Sequence, residues 1–143
     1  MAIVAESAAM LALTDNGLAP DQVSAVLGSA PDQAARMGDK ITLPGGGQRM
    51  AETGYWHRSA ATCQPGDPDA QISALFAPLT TDTRIWASLA ETLRIEVHLR
   101  LFLDTPDEAT RLKPETLRLL ADRHAALVIE IIAPYTPSNS CAG

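Results

Sequence analysis

From Arg94 onward the chain reads Arg-Ile-Glu-Val-His-Leu-Arg-Leu, polar and apolar in strict alternation. A period of two belongs to a strand with one buried and one wet face. Over residues 94–103 it sends Arg94, Glu96, His98 and Arg100 to one side and Ile95, Val97, Leu99 and Leu101 to the other. Residues 7–14, SAAMLALT, predict a first strand with Leu11 and Leu13 on one face. Asp15-Asn16-Gly17 is a turn signal. Pro20-Asp21 then opens a helix over 20–27, with Val23, Val26 and Leu27 at helical spacing and Gly28 as its stop. Proline in the first turn forfeits no hydrogen bond, and Asp21 complements the positive helix end.

Residues 29–47 are weakly patterned, with a short strand expected at 41–43 and a flexible turn at Pro44-Gly45-Gly46-Gly47. Residues 48–60 predict an aromatic strand. Alternation sets Met50, Glu52, Gly54, Trp56 and Arg58 on one face and Ala51, Thr53, Tyr55 and His57 on the other. A hairpin from 41–43 to 48–58 follows, its register left loose by the three glycines. Asp67-Pro68-Asp69 starts a helix carrying Ile72, Leu75, Phe76 and Leu79, disturbed at its end by Pro78. Thr81 or Asp82 caps another, with Ile85, Trp86, Leu89 and Leu93 on its apolar side. Residues 104–112 read as a polar loop. Pro114-Glu115 opens a helix striped by Leu117, Leu120, Ala121 and His124. Residues 126–133 read as a strand buried on both faces apart from Glu130, ended by Pro134 and Pro137.

One-sided helical stripes and a strand with one polar face predict an α+β fold. The architecture expected is a two-layer sandwich, one mixed or antiparallel sheet of four or five strands with helices packed on one face. The strands at 8–14, 95–103 and 127–133 are expected to be central. No repeat or linker interrupts the 143 residues, so one globular domain is expected, with its core over about 8–133 and a frayed tail over 134–143.

Composition narrows the function classes. The formal net charge is −6 and the eleven Lys and Arg are scattered, which argues against nucleic acid as a partner. No apolar run approaches a membrane span. The first residues, MAIVAESAAMLALT, lack a basic segment ahead of the apolar run, so a strand is expected there rather than a secretion signal. Two cysteines, Cys63 and Cys141, suit a reducing, cytoplasmic location with both thiols free.

Each chemical constellation has a plainer alternative. Leu43-Pro44-Gly45-Gly46-Gly47-Gln48 lacks the Gly-Lys-Ser/Thr ending of a phosphate loop and reads as a hairpin tip. His57 and Cys63 are six residues apart, wider than zinc ligand pairs usually stand, so no metal or other cofactor is expected. A nucleophile needs a neighbouring base; Cys63 with His57 or His98 is the candidate, giving a small hydrolase or transferase as the alternative reading. The leading candidate site is the row Arg94, Glu96, His98 and Arg100, joined by Tyr55 or Trp56 from a neighbouring strand. Such a row is a solvated sheet face or a surface that recognises a protein or a small anion, since arginine and aromatics dominate interface energetics. Alternation alone leaves the layer faced by Trp56 open.

Several short motifs occur in a characteristic order: Leu27-Gly28-Ser29-Ala30-Pro31, then Gly38-Asp39, then Thr53-Gly54-Tyr55-Trp56, then two helical segments, then Leu112-Lys113-Pro114-Glu115-Thr116-Leu117. This order resembles a bacterial family known as domain of unknown function 4279, with Lys113 where that family usually has serine. The resemblance implies a one-domain fold over about residues 8–133 and brings no assigned activity, so it carries over no catalytic residue. The polar row makes a non-catalytic binding module the expected role, and the acidic charge and small size suggest an immunity-type protein masking a basic toxin as one version.

Overall fold

The computed structural model describes residues 2–133. In chain order the elements are β1 (Ala2–Ile3), β2 (Glu6–Asp15), α1 (Pro20–Leu27), β3 (Gln33–Ala35), β4 (Lys40–Thr42), β5 (Gln48–Met50) and β6 (Gly54–Ser59). They continue with α2 (Pro68–Phe76), α3 (Thr83–Ala90), β7 (Arg94–Phe102), β8 (Glu108–Ala109), α4 (Pro114–Asp122) and β9 (Ala126–Ile132). Five strands form one sheet in the order β3-β6-β2-β7-β9. All neighbours are antiparallel except β7 and β9. The sheet is therefore mixed and the fold is α+β, as the patterning predicts. No helix among the described residues is long and apolar enough to cross a membrane.

Alternation decides the layers. Leu11 and Leu13 of β2, Trp56 of β6 and Val97 and Leu99 of β7 are buried in one cluster with Leu27, Ile72, Leu75, Trp86 and Leu120 from the four helices. Phe76 and Trp86 meet edge to face at 5.6 Å. Both indoles keep a polar partner, as buried tryptophans do. Trp56 Nε1–H donates to Ser24 Oγ at 3.0 Å and Trp86 Nε1–H to the Thr80 carbonyl at 2.9 Å.

Local chemistry sets the helix ends. Pro20 starts α1, and Gly28 ends it at φ +84°, its N–H donating to the Ser24 carbonyl; only glycine takes that left-handed cap without strain. Asp67 caps α2 and Asp82 caps α3 through their carboxylates. Asp69, in the first turn of α2, reaches across to α4, where it accepts from Lys113 N–H at 3.0 Å and from Thr116 Oγ at 2.6 Å.

That bridge corrects the expected stripe on α4. Thr116 and Leu120 turn inward, Leu117 is half-exposed, and His124 lies beyond the helix in a left-handed conformation at φ +55°. The single strand expected over 48–60 is also two. β5 pairs only with β4 as a separate hairpin, and Ala51 N–H donates to the Asp39 carbonyl, turning the chain into β6. The glycine segment is indeed the tip of that hairpin, with Gly45 and Gly46 at positive φ. Residues 104–112 hold the short strand β8, parallel to β1. Burial there opposes ionisation of Glu108, but the N–H groups of Asp104, Thr105 and Ala5 and the Thr105 hydroxyl hold its pKa below the usual carboxylate value. β9 is an edge strand, not a central one: no strand lies outside it among the described residues. The tail 134–143, with Cys141, lies outside the described residues.

A buried polar bridge pins the central strand to the helix layer. Ser7 of β2 and Gln71 of α2 are both buried. Ser7 Oγ donates to Gln71 Oε1 at 2.5 Å and accepts from Asp67 N–H at 3.0 Å. Gln71 Nε2 donates to the carbonyls of Ser7 and Ala61, each at 2.8 Å. Gln71→Ala strands these groups away from water and is expected to cost about 2–4 kcal/mol of unfolding free energy, read by urea denaturation. A Cβ on Gly54 would stand 2.7 Å from the Asp15 carbonyl oxygen and 2.9 Å from Leu18 Cβ. Gly54→Ala is therefore expected to lower stability by about 2 kcal/mol or more in the same assay.

Candidate functional site

The face opposite the helices is built by the even-numbered positions of the two central strands. On β7 these are Arg94, Glu96, His98, Arg100 and Phe102. The register sets Thr14, Ala12, Met10 and Ala8 of β2 beside the first four. On the other side of β2, Tyr55 lies opposite Thr14, His57 opposite Ala12 and Ser59 opposite Met10. On the far side of β7, Ala126, Val128 and Glu130 lie beside Glu96, His98 and Arg100.

Of the six residues singled out in the sequence, five share this face: Tyr55, Arg94, Glu96, His98 and Arg100. Trp56 does not. Its register partner is Leu13, on the buried side, and it is fully enclosed beneath α1. One residue earlier in an alternating strand means the opposite face, so Tyr55 goes outward where Trp56 goes in. Arg58 shares the helix side with Trp56. Its guanidinium donates to the carbonyls of Leu75 and Ala30, at 3.3 and 3.4 Å, near the end of α2.

The charges on the face are largely matched in pairs. His98 Nε2 is 3.4 Å from Glu96 Oε1, and Arg100 Nε is 3.3 Å from Glu130 Oε2. The Arg100 guanidinium also lies over the Phe102 ring at 5.5 Å. The Tyr55 and His57 rings stack with centroids 4.7 Å apart. Burial, and secondarily the charge of His98 across β2, lower the His57 pKa below its ordinary 6.5.

The face is uneven. Ala8 gives β2 a low point beside the taller side chains of β7, whereas Ala12 is 3% exposed, covered by its neighbours. A hollow of about 500 Å³ opens over Ala8 and Met10, walled by Ser59, His98, Arg100 and Glu130. A second, of about 850 Å³, lies at the far end of β7 among Thr14, Asp15, Glu91, Arg94 and Glu96. The row is thus divided between two depressions.

Sequence reasoning weighed His57 only as a metal ligand or a base for Cys63, and passed over Met10, Ser59 and Glu130. The alternation that set His57 beside Tyr55 carried the signal for the first. The small outward residues of β2 carried it for the floor. Glu130 stood out only as the charge in an apolar strand, and its pairing with Arg100 depends on the parallel register of β7 and β9.

The candidate nucleophile is differently placed. Cys63 exchanges backbone hydrogen bonds with Ser7, and its Sγ lies 3.9 Å from the Ala61 carbonyl. It does not line the hollow walled by His98. Among the described residues no three of His, Cys, Asp or Glu converge as metal ligands would.

The family can now be stated. A model of the family described as domain of unknown function DUF4279 matches residues 5–133, and the chain belongs to that family. No curated protein and no solved structure matches the chain.

His57 makes the face sensitive to acid. Its folded-state pKa is depressed, so below about pH 6.5 the unfolded chain binds more protons than the folded one. The histidine costs nothing above that value, and its penalty grows as the pH falls toward the folded-state pKa. His57→Gln is expected to leave the urea midpoint at about pH 7.5 nearly unchanged and to reduce the loss of stability between there and about pH 5.5. Equal losses in both proteins would assign the acid sensitivity to other groups.

Proposed function

We propose that the chain is a non-catalytic recognition module that binds its partner on the open sheet face. The observation that carries this reading is the hollow of about 500 Å³ over Ala8 and Met10, walled by Ser59, His98, Arg100 and Glu130. An apolar floor ringed by arginine, histidine and acidic groups suits a protein interface. Arg100 and Glu130 pair at the rim, each about half-exposed, where either can exchange its partner for one on an incoming surface at little cost. A protein partner fits this surface better than a small anion, because Arg100 is already paired with Glu130 and Arg94 shares its hollow with Asp15, Glu91 and Glu96. The overall charge of −6 adds a long-range pull toward a basic protein. An immunity-type role, in which the face masks a basic toxin in the cytoplasm, is one form of this proposal.

A hydrolase or transferase using Cys63 and His98 has less support. The His98 ring is turned to Glu96, and no hydrogen bond joins it to the thiol among the described residues.

The double variant Arg94→Ala/Arg100→Ala tests the proposal. Both side chains are exposed, so unfolding free energy is expected to stay within about 0.5 kcal/mol of the parent. Proteins captured by the parent chain from extracts of its source organism are expected to bind the variant at least about tenfold more weakly. Equal capture by the two would overturn the assignment to this face, and gross unfolding would show that the face is packed.

A further inference from the structure

Among the described residues, strand β9 ends the sheet on the side away from β3. The Ile132 carbonyl accepts from Leu103 N–H at 3.0 Å, which shows which way its backbone groups point. Along a strand, alternate residues turn their N–H and C=O to opposite edges. Ala126, Val128, Glu130 and Ile132 therefore face β7, while Leu127, Ile129 and Ile131 present their donors and acceptors outward. The outward-bonding residues also put their side chains on the helix side, where Ile129 is 51% and Ile131 66% exposed. Leu117 of α4, in the same layer, is 50% exposed.

Natural sheet edges usually discourage pairing with lysine, proline or a bulge. The sequence Ala-Leu-Val-Ile-Glu-Ile-Ile carries no lysine or proline. Its register against β7 runs without a bulge from Ala126 to Ile132. The single charge, Glu130, points to the open face and is held by Arg100.

We propose that this edge binds a second copy of the chain, β9 lying antiparallel to its counterpart about a two-fold axis perpendicular to the sheet. Only residues 127, 129 and 131 can exchange hydrogen bonds across the junction. Setting Ile129 opposite its own counterpart uses all of them, because Leu127 then meets Ile131 on either side. In that register Glu130 lies opposite Val128, so no like charges meet. A slide by one pairing step in one direction sets Glu130 against Glu130. A slide in the other takes Ile131 out of the junction. The strand is therefore self-complementary in one register, as an isologous contact requires.

The axis keeps both helix layers on one side. Each α4 then flanks the junction and the exposed isoleucines are covered from both copies. The two five-stranded sheets become continuous, and their open faces lie side by side. The proposal does not rest on the function proposed above.

Sedimentation velocity and light scattering on the full chain are expected to give twice the 15.2 kDa chain mass at micromolar concentration. Two variants locate the contact. Ile131→Lys puts a charge into the junction. Ile129→Pro removes an outward N–H that β7 does not use. Each is expected to keep the parent's circular dichroism and to raise the dimer dissociation constant at least about tenfold. Should the proline variant fail to fold, Ile131→Lys alone decides. A parent chain that remains at 15.2 kDa up to about 100 μM overturns the proposal. So does a dimer that folded Ile131→Lys leaves unchanged.

Discussion

Strand β2 is hydrogen-bonded along both edges, and its register decides which way every neighbouring side chain points. A slip of one residue would turn Leu11 and Leu13 out and bring Ala8, Met10 and Ala12 into the core. Apolar burial alone penalises that slip. The Ser7–Gln71 bridge adds a second penalty, because it fixes one residue of β2 against one residue of α2 through groups that have no access to water. A satisfied buried amide contributes modest net stability, whereas a misplaced one is costly. The bridge is thus better understood as a device for uniqueness than for stability.

The motifs through which the chain resembles its family sit almost wholly in this scaffold. Gly28 and Gly38 take positive φ, Gly54 lets β6 approach the Asp15–Leu18 turn, Trp56 fills the core, and Pro114 starts α4. Each meets a backbone or packing demand. Within those motifs Tyr55 reaches the open face, and Thr53 lines the hollow around Arg94. Membership in the family therefore speaks to the architecture, and most side chains of the open face lie outside the motifs.

Much of the architecture was legible because its period was. β7 and the apolar phases of α2 and α3 follow from spacing alone, and they fix the layers; of the stripe expected on α1, Val23 and Leu27 are buried but Val26 is 44% exposed. What escaped was set by partners distant in sequence. β3 is three residues long and exists because β6 offers it an edge. β9 looked central because its composition is apolar, yet composition reports what a strand is able to bury, not what covers it. The α4 stripe was misjudged because Asp69, about forty-five residues earlier, draws Thr116 inward. The same divide runs through the candidate face. The row on β7 was readable from one segment; on β6 alternation grouped Tyr55 with His57 but left open which side faced out. The Arg100–Glu130 pair and the hollow over Ala8 and Met10 depend on strand order.

Ala8, on the floor of the hollow, points away from the helix layer, and its size does not enter the packing there. Enlarging Ala8 would make the hollow shallower while leaving the interior close-packed. Ala12 is 3% exposed and has no such freedom. The contour presented to a partner and the durability of the fold are therefore governed by different atoms of the same strand. Substitution at Ala8 can thus reshape the open face without first making the fold less stable.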